Sequence, residues 1–164
     1  MEVVMEADWT KKVQMWGKDR KIALDKFKKV LRKWKLKMPN AKPLVLDFGR
    51  GEFYKTGLIE FWIANEYKEG YCGKFLYVFE GQTCPYHHHN FKHETFLVVK
   101  GSVLMKIGNQ KKVMGESDRL AMKQGTGHSF TGRGKGALLL EVSKPCKPGD
   151  SIFKDERIGR NGII

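Results

Sequence analysis

Apolar residues in the first quarter of the chain recur at helical spacing. Four of them share one face of a helix: Leu24, Phe27, Leu31 and Trp34. We predict this helix over residues 20–36, with Asp19 as its N-cap and with Pro39 and Asn40 ending it. A shorter helical segment is predicted from Thr10 to Trp16, because Gly17 interrupts the pattern.

After Pro43 the pattern changes to short β-rich runs separated by glycine, asparagine and charged residues. The predicted strands are 44–48, 57–65, 72–80, 95–100, 102–107, 110–114, 117–122 and 136–143. Tight turns are predicted at Gly101 and at the Gly108-Asn109 pair. Many short strands at close spacing favour a β-sandwich or a closed barrel over a parallel α/β sheet.

The chain shows no internal repeat and no linker, and its 164 residues amount to about one domain. We therefore expect a mainly β protein with one structural domain. Residues 1–43 would form a basic helical segment packed on the outside, and residues 44–164 the barrel with a C-terminal tail.

The net charge of +13 raises the question of a polyanionic partner. Residues 1–43 hold 13 lysines and arginines against 5 acidic residues, whereas residues 44–164 hold 18 against 13. Most of the excess lies on the predicted helix, where a solvated lysine-rich back is the simpler explanation. No nucleic-acid motif accompanies the charge, so we expect no nucleic-acid partner.

The remaining composition indicates a soluble protein. The longest apolar run is the five residues Phe75–Phe79, against the roughly 20 that a membrane span needs. The three cysteines are far apart and form no C-x-x-C pair, which fits a reducing compartment. We expect a cytoplasmic protein without membrane contact.

The histidine distribution is the strongest chemical feature. All five lie in one quarter of the chain: His87, His88, His89, His93 and His128. Alternate side chains of a strand share a face, so His87 and His89 would point the same way and His88 the other. Glu94 follows five residues after His89, close enough to return to the same site, whereas His128 would come from a different strand. His88 and His93 are not predicted as ligands.

Three imidazoles and one carboxylate suit a divalent first-row metal such as Mn, Fe, Co, Ni or Zn. An ion held in this way keeps about one net positive charge and remains a Lewis acid. With six-coordination, two adjacent positions would be left for ligands. Two neighbouring sugar oxygens could occupy these coordination positions, and so could dioxygen together with a substrate oxygen. The ligand set therefore permits both sugar chemistry and dioxygen chemistry.

Residues 81–101 resemble the first motif of the cupins. The segment GQTCPYHHHNFKHETFLVVKG matches the pattern G-x5-H-x-H-x4-E-x6-G in every fixed position. The second cupin motif is matched in part, with Gly125 and His128 in place, Lys123 near the usual proline and Gly132 where asparagine is usual. The resemblance implies a double-stranded β-helix, or jelly-roll barrel, that holds His87, His89, Glu94 and His128 as metal ligands.

Further segments resemble the D-lyxose isomerase group of cupins. They are residues 47–61, Lys92 in the spacing H-x-H-x2-K-x-E, and residues 125–134, 138–143 and 150–160. The resemblance implies a metal-dependent sugar isomerase that interconverts D-lyxose with D-xylulose or D-mannose with D-fructose. We expect Mn as its metal, with Co, Fe, Ni and Zn as alternatives.

Two residues are the candidates for the chemistry of such an isomerase. Glu141 interrupts the apolar strand Ala137–Val142, where a charged side chain is costly unless it has a partner or a task. We predict Glu141 as the base that moves the proton, and Lys92 as the group that neutralises or protonates the developing oxyanion. An edge-strand glutamate and a solvated loop lysine are the alternatives.

Four residues are predicted to contact the substrate: Asp47, Arg157, Phe153 and Phe130. Each has a simpler explanation, since Asp47 also suits a turn and aromatic residues in a barrel are often core. The alternative functions are a non-catalytic sugar-binding cupin, like the module of sialic-acid synthases, and an Fe-dependent cupin dioxygenase. We expect a small-molecule sugar substrate and a homodimer, because cupin barrels commonly pair.

Overall fold

The computed structural model describes the backbone of residues 8–164 and the side chains of residues 11–164. Two helices come first, α1 (Asp8–Val13) and α2 (Gly17–Trp34). Nine strands follow: β1 (Leu44–Leu46), β2 (Leu58–Glu66), β3 (Tyr71–Val78), β4 (Thr83–His89), β5 (Glu94–Ile107), β6 (Gln110–Gly115), β7 (Arg119–Met122), β8 (His128–Ser143) and β9 (Ser151–Phe153). The protein is mainly β, as predicted, and neither described helix is long and apolar enough to cross a membrane.

The strands form one curled antiparallel sheet organised around the two longest strands, β5 and β8. These strands pair along almost their whole length, from Glu94 opposite Ser143 to Ile107 opposite His128. On its other edge β8 pairs first with β4 and then with β3, while β5 also pairs with β6 and β7. Because both edges of β5 and β8 are occupied in this way, the sheet curls around an apolar interior and forms the predicted jelly-roll barrel.

Most predicted strands are confirmed, but the turn predicted at Gly101 is wrong. Strand β5 continues through Gly101, which has a φ of 81° at a register shift against β8. A Cβ atom at this position would lie 2.1 Å from the carbonyl oxygen of Gly136. Gly101 therefore allows a bulge and a close backbone approach inside a continuous strand, which the sequence pattern does not distinguish from a turn.

One strand begins earlier than predicted, and two further strands were not predicted. Strand β8 begins at His128, eight residues before the predicted strand over 136–143. Strands β4 and β9 were not among the predicted runs, although the alternation of His87 and His89 on an extended segment is confirmed. Neither strand has a β-rich run that the sequence pattern could mark. Both are defined by their pairing, since β4 pairs with β8 and with β9.

The N-cap prediction for the long helix is also wrong. Helix α2 begins at Gly17, with Trp16 at the N-cap position and no side-chain cap. Asp19 lies inside the first turn, where its negative charge suits the positive end of the helix dipole. The helix ends at Trp34, because Lys35 adopts a left-handed conformation and its N–H bonds the carbonyl oxygen of Arg32.

Helix α2 packs on the outside of the barrel, as predicted. Its buried residues are Ala23, Phe27 and Leu31. The ring centroid of Phe27 lies 4.5 Å from that of Tyr77 on β3 and 5.8 Å from that of Phe61 on β2. This outer core is separate from the apolar cluster inside the barrel. Since the apolar face of the helix is covered, its lysines form the solvated back that the charge pattern indicated.

We predict that Phe27→Ala lowers the free energy of unfolding by about 3–5 kcal/mol, because the large aromatic side chain leaves a cavity between helix and sheet. Urea unfolding followed by circular dichroism measures the change. The control is Lys28→Ala at the exposed neighbouring position, which should stay within about 0.5 kcal/mol of the parent protein. Equal stabilities of the two variants would contradict the packing described here.

Candidate metal centre and cavity

Four buried side chains from three strands converge inside the barrel: His87, His89, Glu94 and His128. One potential ligand atom from each lies within 4.8 Å of those from the other three. Strand β4 contributes His87 and His89 on one face, while Glu94 begins β5 and His128 begins β8. His128 is also the direct partner of His87 between β4 and β8. The sequence-predicted ligand set is thus brought together, and His88 lies outside it.

Each of the three imidazoles has its Nδ1 atom bound to a backbone carbonyl. The Nδ1 atoms of His87, His89 and His128 lie 2.7, 3.0 and 2.9 Å from the carbonyl oxygens of Pro85, Asp150 and Thr126. A carbonyl can only accept, so each Nδ1 carries the proton and each Nε2 keeps a free lone pair. This is the arrangement that orients metal-binding histidines in proteins.

The atoms that face the centre of the cluster have no hydrogen bonds of their own. The Nε2 atoms of His89 and His128 and the Oε1 atom of Glu94 are buried without a hydrogen-bond partner, whereas Glu94 Oε2 pairs with the ammonium of Lys92. Glu94 Oε1 nevertheless lies 2.9 Å from His128 Nε2 and 3.7 Å from His89 Nε2. Buried polar atoms are rarely left unsatisfied, and a shared cation would satisfy all of these at once. The donor set therefore fits a divalent first-row metal.

The protonation states of the cluster agree with this fit. Burial, together with the neighbouring imidazoles, lowers the pKa of His87 well below its usual value. Burial and the ammonium of Lys92 lower the pKa of His89 to about 3. Burial alone would raise the pKa of Glu94, but the charge of Lys92, together with His128 and His89, lowers that pKa. Neutral imidazoles and an ionised carboxylate are the forms that bind a metal.

A line of alternating charges leads away from the cluster, and we call it the charged row. Its five buried members are Glu60, Lys74, Glu141, Lys92 and Glu94. The ammonium nitrogen of Lys74 lies 3.7 Å from a carboxylate oxygen of Glu60 and 3.3 Å from one of Glu141. That of Lys92 lies 2.9 Å from Glu141 and 2.8 Å from Glu94.

The charged row keeps both of its lysines protonated. Burial alone would lower the pKa of Lys74, but the carboxylates of Glu141 and Glu60 raise it. The pKa of Lys92 is likewise raised by Glu141 and Glu94 against the effect of burial. Ser143 adds a neutral donor, because its hydroxyl lies 3.0 Å from Glu141 Oε1. Glu141 is therefore fixed by three donors at the end of β8.

Sequence reasoning found Glu141 and Lys92 but missed Glu60 and Lys74. Glu60 interrupts the apolar strand Leu58–Ile63, and Lys74 stands in the apolar strand β3. This is the signal that marked Glu141, a charged residue within a core strand. Applied to every strand, it would have identified Glu60 and Lys74 as well.

A cavity of about 220 Å³ lies beside the cluster and the charged row. Its polar lining includes Glu60, Asn65, Tyr67, Lys74, His87, His89, Lys92, Glu141, Lys147 and Ser151. Its apolar lining includes Leu44, Leu46, Phe48, Leu58, Phe130 and Phe153. The volume is below the roughly 300–1,000 Å³ of sites for drug-sized ligands, so a small molecule fits it best.

The two predicted aromatic contacts lie at this cavity. Phe153 on β9 is buried and stacks on the ring of His87, with the ring centroids 5.1 Å apart. Phe130 on β8 is also buried and lies against Phe96, with the centroids 5.8 Å apart. Both side chains line the cavity wall.

The other two predicted substrate contacts, Asp47 and Arg157, lie outside the lining of this cavity. Asp47 accepts hydrogen bonds from the backbone N–H groups of Gly49 and Gly51, so it stabilises a turn outside this cavity. Arg157 is exposed and pairs with Asp155, its Nε atom 2.7 Å from the carboxylate. Local hydrogen bonding explains both residues without a ligand.

Comparisons with known proteins agree with the fold and with the cluster. The model of the cupin domain family matches residues 75–143. The chain is 29% identical to the D-lyxose/D-mannose isomerase of Thermosediminibacter oceani, over 71% of this chain and 78% of the relative. It is 26% identical to the D-lyxose ketol-isomerase of Cohnella laeviribosi, over 92% and 98%.

Among solved structures, the fold resembles L-ribose isomerase of Cellulomonas parahominis in complex with L-ribose. The TM-score is 0.70 at 14% identity, and the match covers 92% of this chain and 99% of that one. The chain thus has a curled antiparallel barrel with three histidines and one glutamate inside it, and residues 75–143 of this barrel match the cupin domain. Its sequence is similar to those of the D-lyxose isomerases named above.

We predict that His87→Ala and His128→Ala each reduce retention of a divalent metal at least about tenfold, because each variant loses one donor of the set. Metal content after gel filtration, measured by inductively coupled plasma mass spectrometry, tests this. His88→Ala is the matched control, since it removes an imidazole from the same strand but outside the cluster. Full occupancy in both cluster variants would contradict the ligand assignment.

We also predict that the metal-free protein loses stability as the pH falls below about 6.5. The unfolded histidines take up protons there, whereas the lowered pKa values of His87 and His89 keep the folded protein from doing so. Each group then contributes a slope of up to about 1.4 kcal/mol per pH unit. Urea unfolding in a chelator between pH 7.5 and 5 measures it.

The double substitution of His87 and His89 by Gln should flatten this pH dependence, whereas His88→Gln should leave it unchanged. An unchanged slope in the double variant would show that other groups cause the loss of stability.

Proposed function

We propose that this protein is a metal-dependent aldose–ketose isomerase that acts on a free pentose or hexose, of the D-lyxose/D-xylulose or D-mannose/D-fructose type. One observation carries the proposal. The buried carboxylate of Glu141 lines the cavity, is oriented by two lysines, and is linked through Lys92 to Glu94 of the metal-binding cluster. The names of the curated relatives support the same reaction class.

Aldose–ketose isomerisation moves a proton between C1 and C2 of the sugar through an ene-diolate. The base must reach the carbon atoms without being occupied by the metal. Glu141 meets this requirement, because it lies outside the four-residue cluster and faces the cavity. In the proposed reaction its carboxylate takes the proton from one carbon and returns it to the other.

A divalent metal held by the cluster would supply a Lewis acid next to the two sugar oxygens. We propose Mn as the first candidate, with Co, Fe, Ni and Zn as alternatives. Lys92 adds a fixed ammonium between Glu141 and Glu94, which places a second positive charge beside the oxygen where negative charge develops. Because this ammonium is already oriented by two carboxylates, it needs no rearrangement during the reaction.

The two buried lysines of the cavity favour an uncharged sugar over a sugar phosphate, and Lys147, the exposed lysine of the lining, lies over the ring of Phe91. Lys74 and Lys92 each contact two carboxylates, so neither offers a free charge to a phosphate group. Phe130 and Phe153 provide the apolar surface on which the C–H face of a sugar can pack. We propose these two aromatic residues, rather than Asp47 or Arg157, as substrate contacts.

The homodimer and the cytoplasmic location stay predictions.

The apolar part of the lining favours a second candidate, an Fe-dependent dioxygenase with a more hydrophobic substrate. The same three imidazoles and carboxylate suit Fe(II), and Leu44, Leu46, Phe48 and Leu58 form an apolar wall. The charged row argues against this candidate, because such a reaction does not require a base held between two lysines.

One experiment separates these functions. The protein is stripped of metal, reloaded separately with Mn, Co, Fe, Ni and Zn, and incubated with a panel of free aldoses and ketoses. Conversion of aldose to ketose supports the isomerase, whereas sugar binding without conversion indicates a non-catalytic sugar-binding cupin. Oxygen consumption by the Fe-loaded protein with a hydrophobic substrate would support the dioxygenase.

We predict that Glu141→Gln keeps the bound metal but lowers the rate of isomerisation by about 10²-fold or more, because the amide cannot accept the proton. Ketose formation and metal content are measured on the same preparation. The control is Glu116→Gln, which makes the same change at an exposed glutamate. Unchanged turnover in the Glu141 variant would remove this residue from the mechanism.

A further inference from the structure

Two cysteines from distant parts of the chain lie next to each other at the cavity. Cys72 is buried on β3, and Cys146 is half-buried in the segment between β8 and β9. Their sulfur atoms are 3.8 Å apart, and neither cysteine is in a disulfide. Cys146 also lines the cavity, with its sulfur 3.8 Å from the ammonium nitrogen of Lys92.

The backbone of Cys146 is anchored to β2, which fixes its position opposite Cys72. Its N–H donates to Asn65 Oδ1 at 2.9 Å, and its carbonyl oxygen accepts from Asn65 Nδ2 at 3.2 Å. The Tyr67 hydroxyl donates to the same carbonyl oxygen. Ser143, which lies three residues before Cys146 in the chain, pairs directly with Cys72 between β3 and β8. The pairing of strands and the Asn65 contacts therefore hold the two thiols together.

We propose that Cys72 and Cys146 are a redox modification site and form a reversible intramolecular disulfide at the cavity wall. The sulfur atoms need to approach by about 1.8 Å to reach the roughly 2.0 Å length of a disulfide bond. The segment that carries Cys146 is not part of a strand, so it is the side that adjusts. Cys84, the third cysteine, is buried in the apolar core inside the barrel and takes no part.

The two thiols differ in reactivity. A hydrogen bond from Cys72, helped by the charges of Lys74 and Lys92, lowers the pKa of Cys146 to about 7 against the effect of burial. The same hydrogen bond and burial raise the pKa of Cys72. Cys146 is thus the thiol that ionises more readily, and it is the less buried residue of the two. The thiolate is the form that reacts with oxidants.

Hydrogen peroxide, a small neutral oxidant, completes the reaction in two steps. The thiolate of Cys146 attacks one peroxide oxygen, the O–O bond breaks, and the departing hydroxide takes a proton to become water, which leaves a sulfenic acid on Cys146. Cys72 then loses its proton and attacks the sulfenic sulfur, the S–O bond breaks, and a second water is released. Two thiols lose two electrons in total, and one peroxide is reduced to two waters.

The disulfide would change the cavity wall directly. It draws the sulfur of Cys146 away from Lys92 and ties the segment before β9 to β3. That segment also supplies Lys147 and Pro148 to the lining. The inference does not depend on the proposed isomerase reaction, because the disulfide is detected chemically whether or not the protein turns over a sugar.

The test uses the full chain, reduced and kept in a chelator, and treated with a small molar excess of hydrogen peroxide. Free thiols counted after denaturation should fall from three to one, with a loss of about 2 Da in the intact mass, as expected for the two hydrogens lost when a disulfide forms. Peptide mapping should show a cross-link between the peptides of Cys72 and Cys146, and dithiothreitol should remove it.

Matched variants assign the sulfurs. Cys84→Ala should form the same cross-link, whereas Cys146→Ser should form none. Cys146 is only half-buried, so this variant is informative even if Cys72→Ser fails to fold. The proposal is overturned if three free thiols remain after treatment, if Cys146 is oxidised to a sulfinic acid while Cys72 stays free, or if the cross-link joins two chains.

Discussion

The pairing of buried charges across the barrel wall is the constraint on which the rest of the site depends. Each lysine of the charged row is removed from water and is kept charged by two carboxylates, one on each side. Removing one member would leave an uncompensated buried charge, which costs about 3–5 kcal/mol. The row is therefore a single unit, and it fixes the distance between Glu141 and the metal-binding cluster without any contact from Glu141 to the cluster itself.

The histidine cluster depends on a different kind of support. Backbone carbonyls of Pro85, Asp150 and Thr126 hold the three Nδ1 atoms, so the ring orientation is set by the main chain rather than by other side chains. Two of these carbonyls lie only two residues before the histidine that they hold. The local backbone thus orients the imidazoles of His87 and His128. The imidazole of His89 is instead oriented by the carbonyl of Asp150, which lies near the end of the chain.

The candidate ligands, the candidate base and the barrel could be predicted because each leaves a local mark in the sequence. Alternating histidines, a glutamate in an apolar strand and closely spaced β-rich runs can all be recognised without knowing their neighbours in space. Asp47 and Arg157 lie outside the cavity lining, and the sequence does not show this because a charged residue near a motif looks the same whether it faces a ligand or hydrogen-bonds within a turn. Gly101 was misassigned because a glycine with positive φ serves equally in a turn and in a bulge. The adjacency of Cys72 and Cys146 left no local mark, since it arises only when β3 and β8 pair.

Strand β8 carries both His128 and Glu141, the first at its start and the second near its end. Two paired stretches of one strand therefore carry these two side chains, and the residues 134–136 between the stretches have no partner in β3, β4 or β5. The spacing between His128 and Glu141 depends on this bulge as well as on the paired stretches. The apolar part of the opposite lining comes from β1 and β2, so substitutions of Leu44, Leu46 or Leu58 would reshape the cavity without removing a member of the charged row or a contact of the histidines.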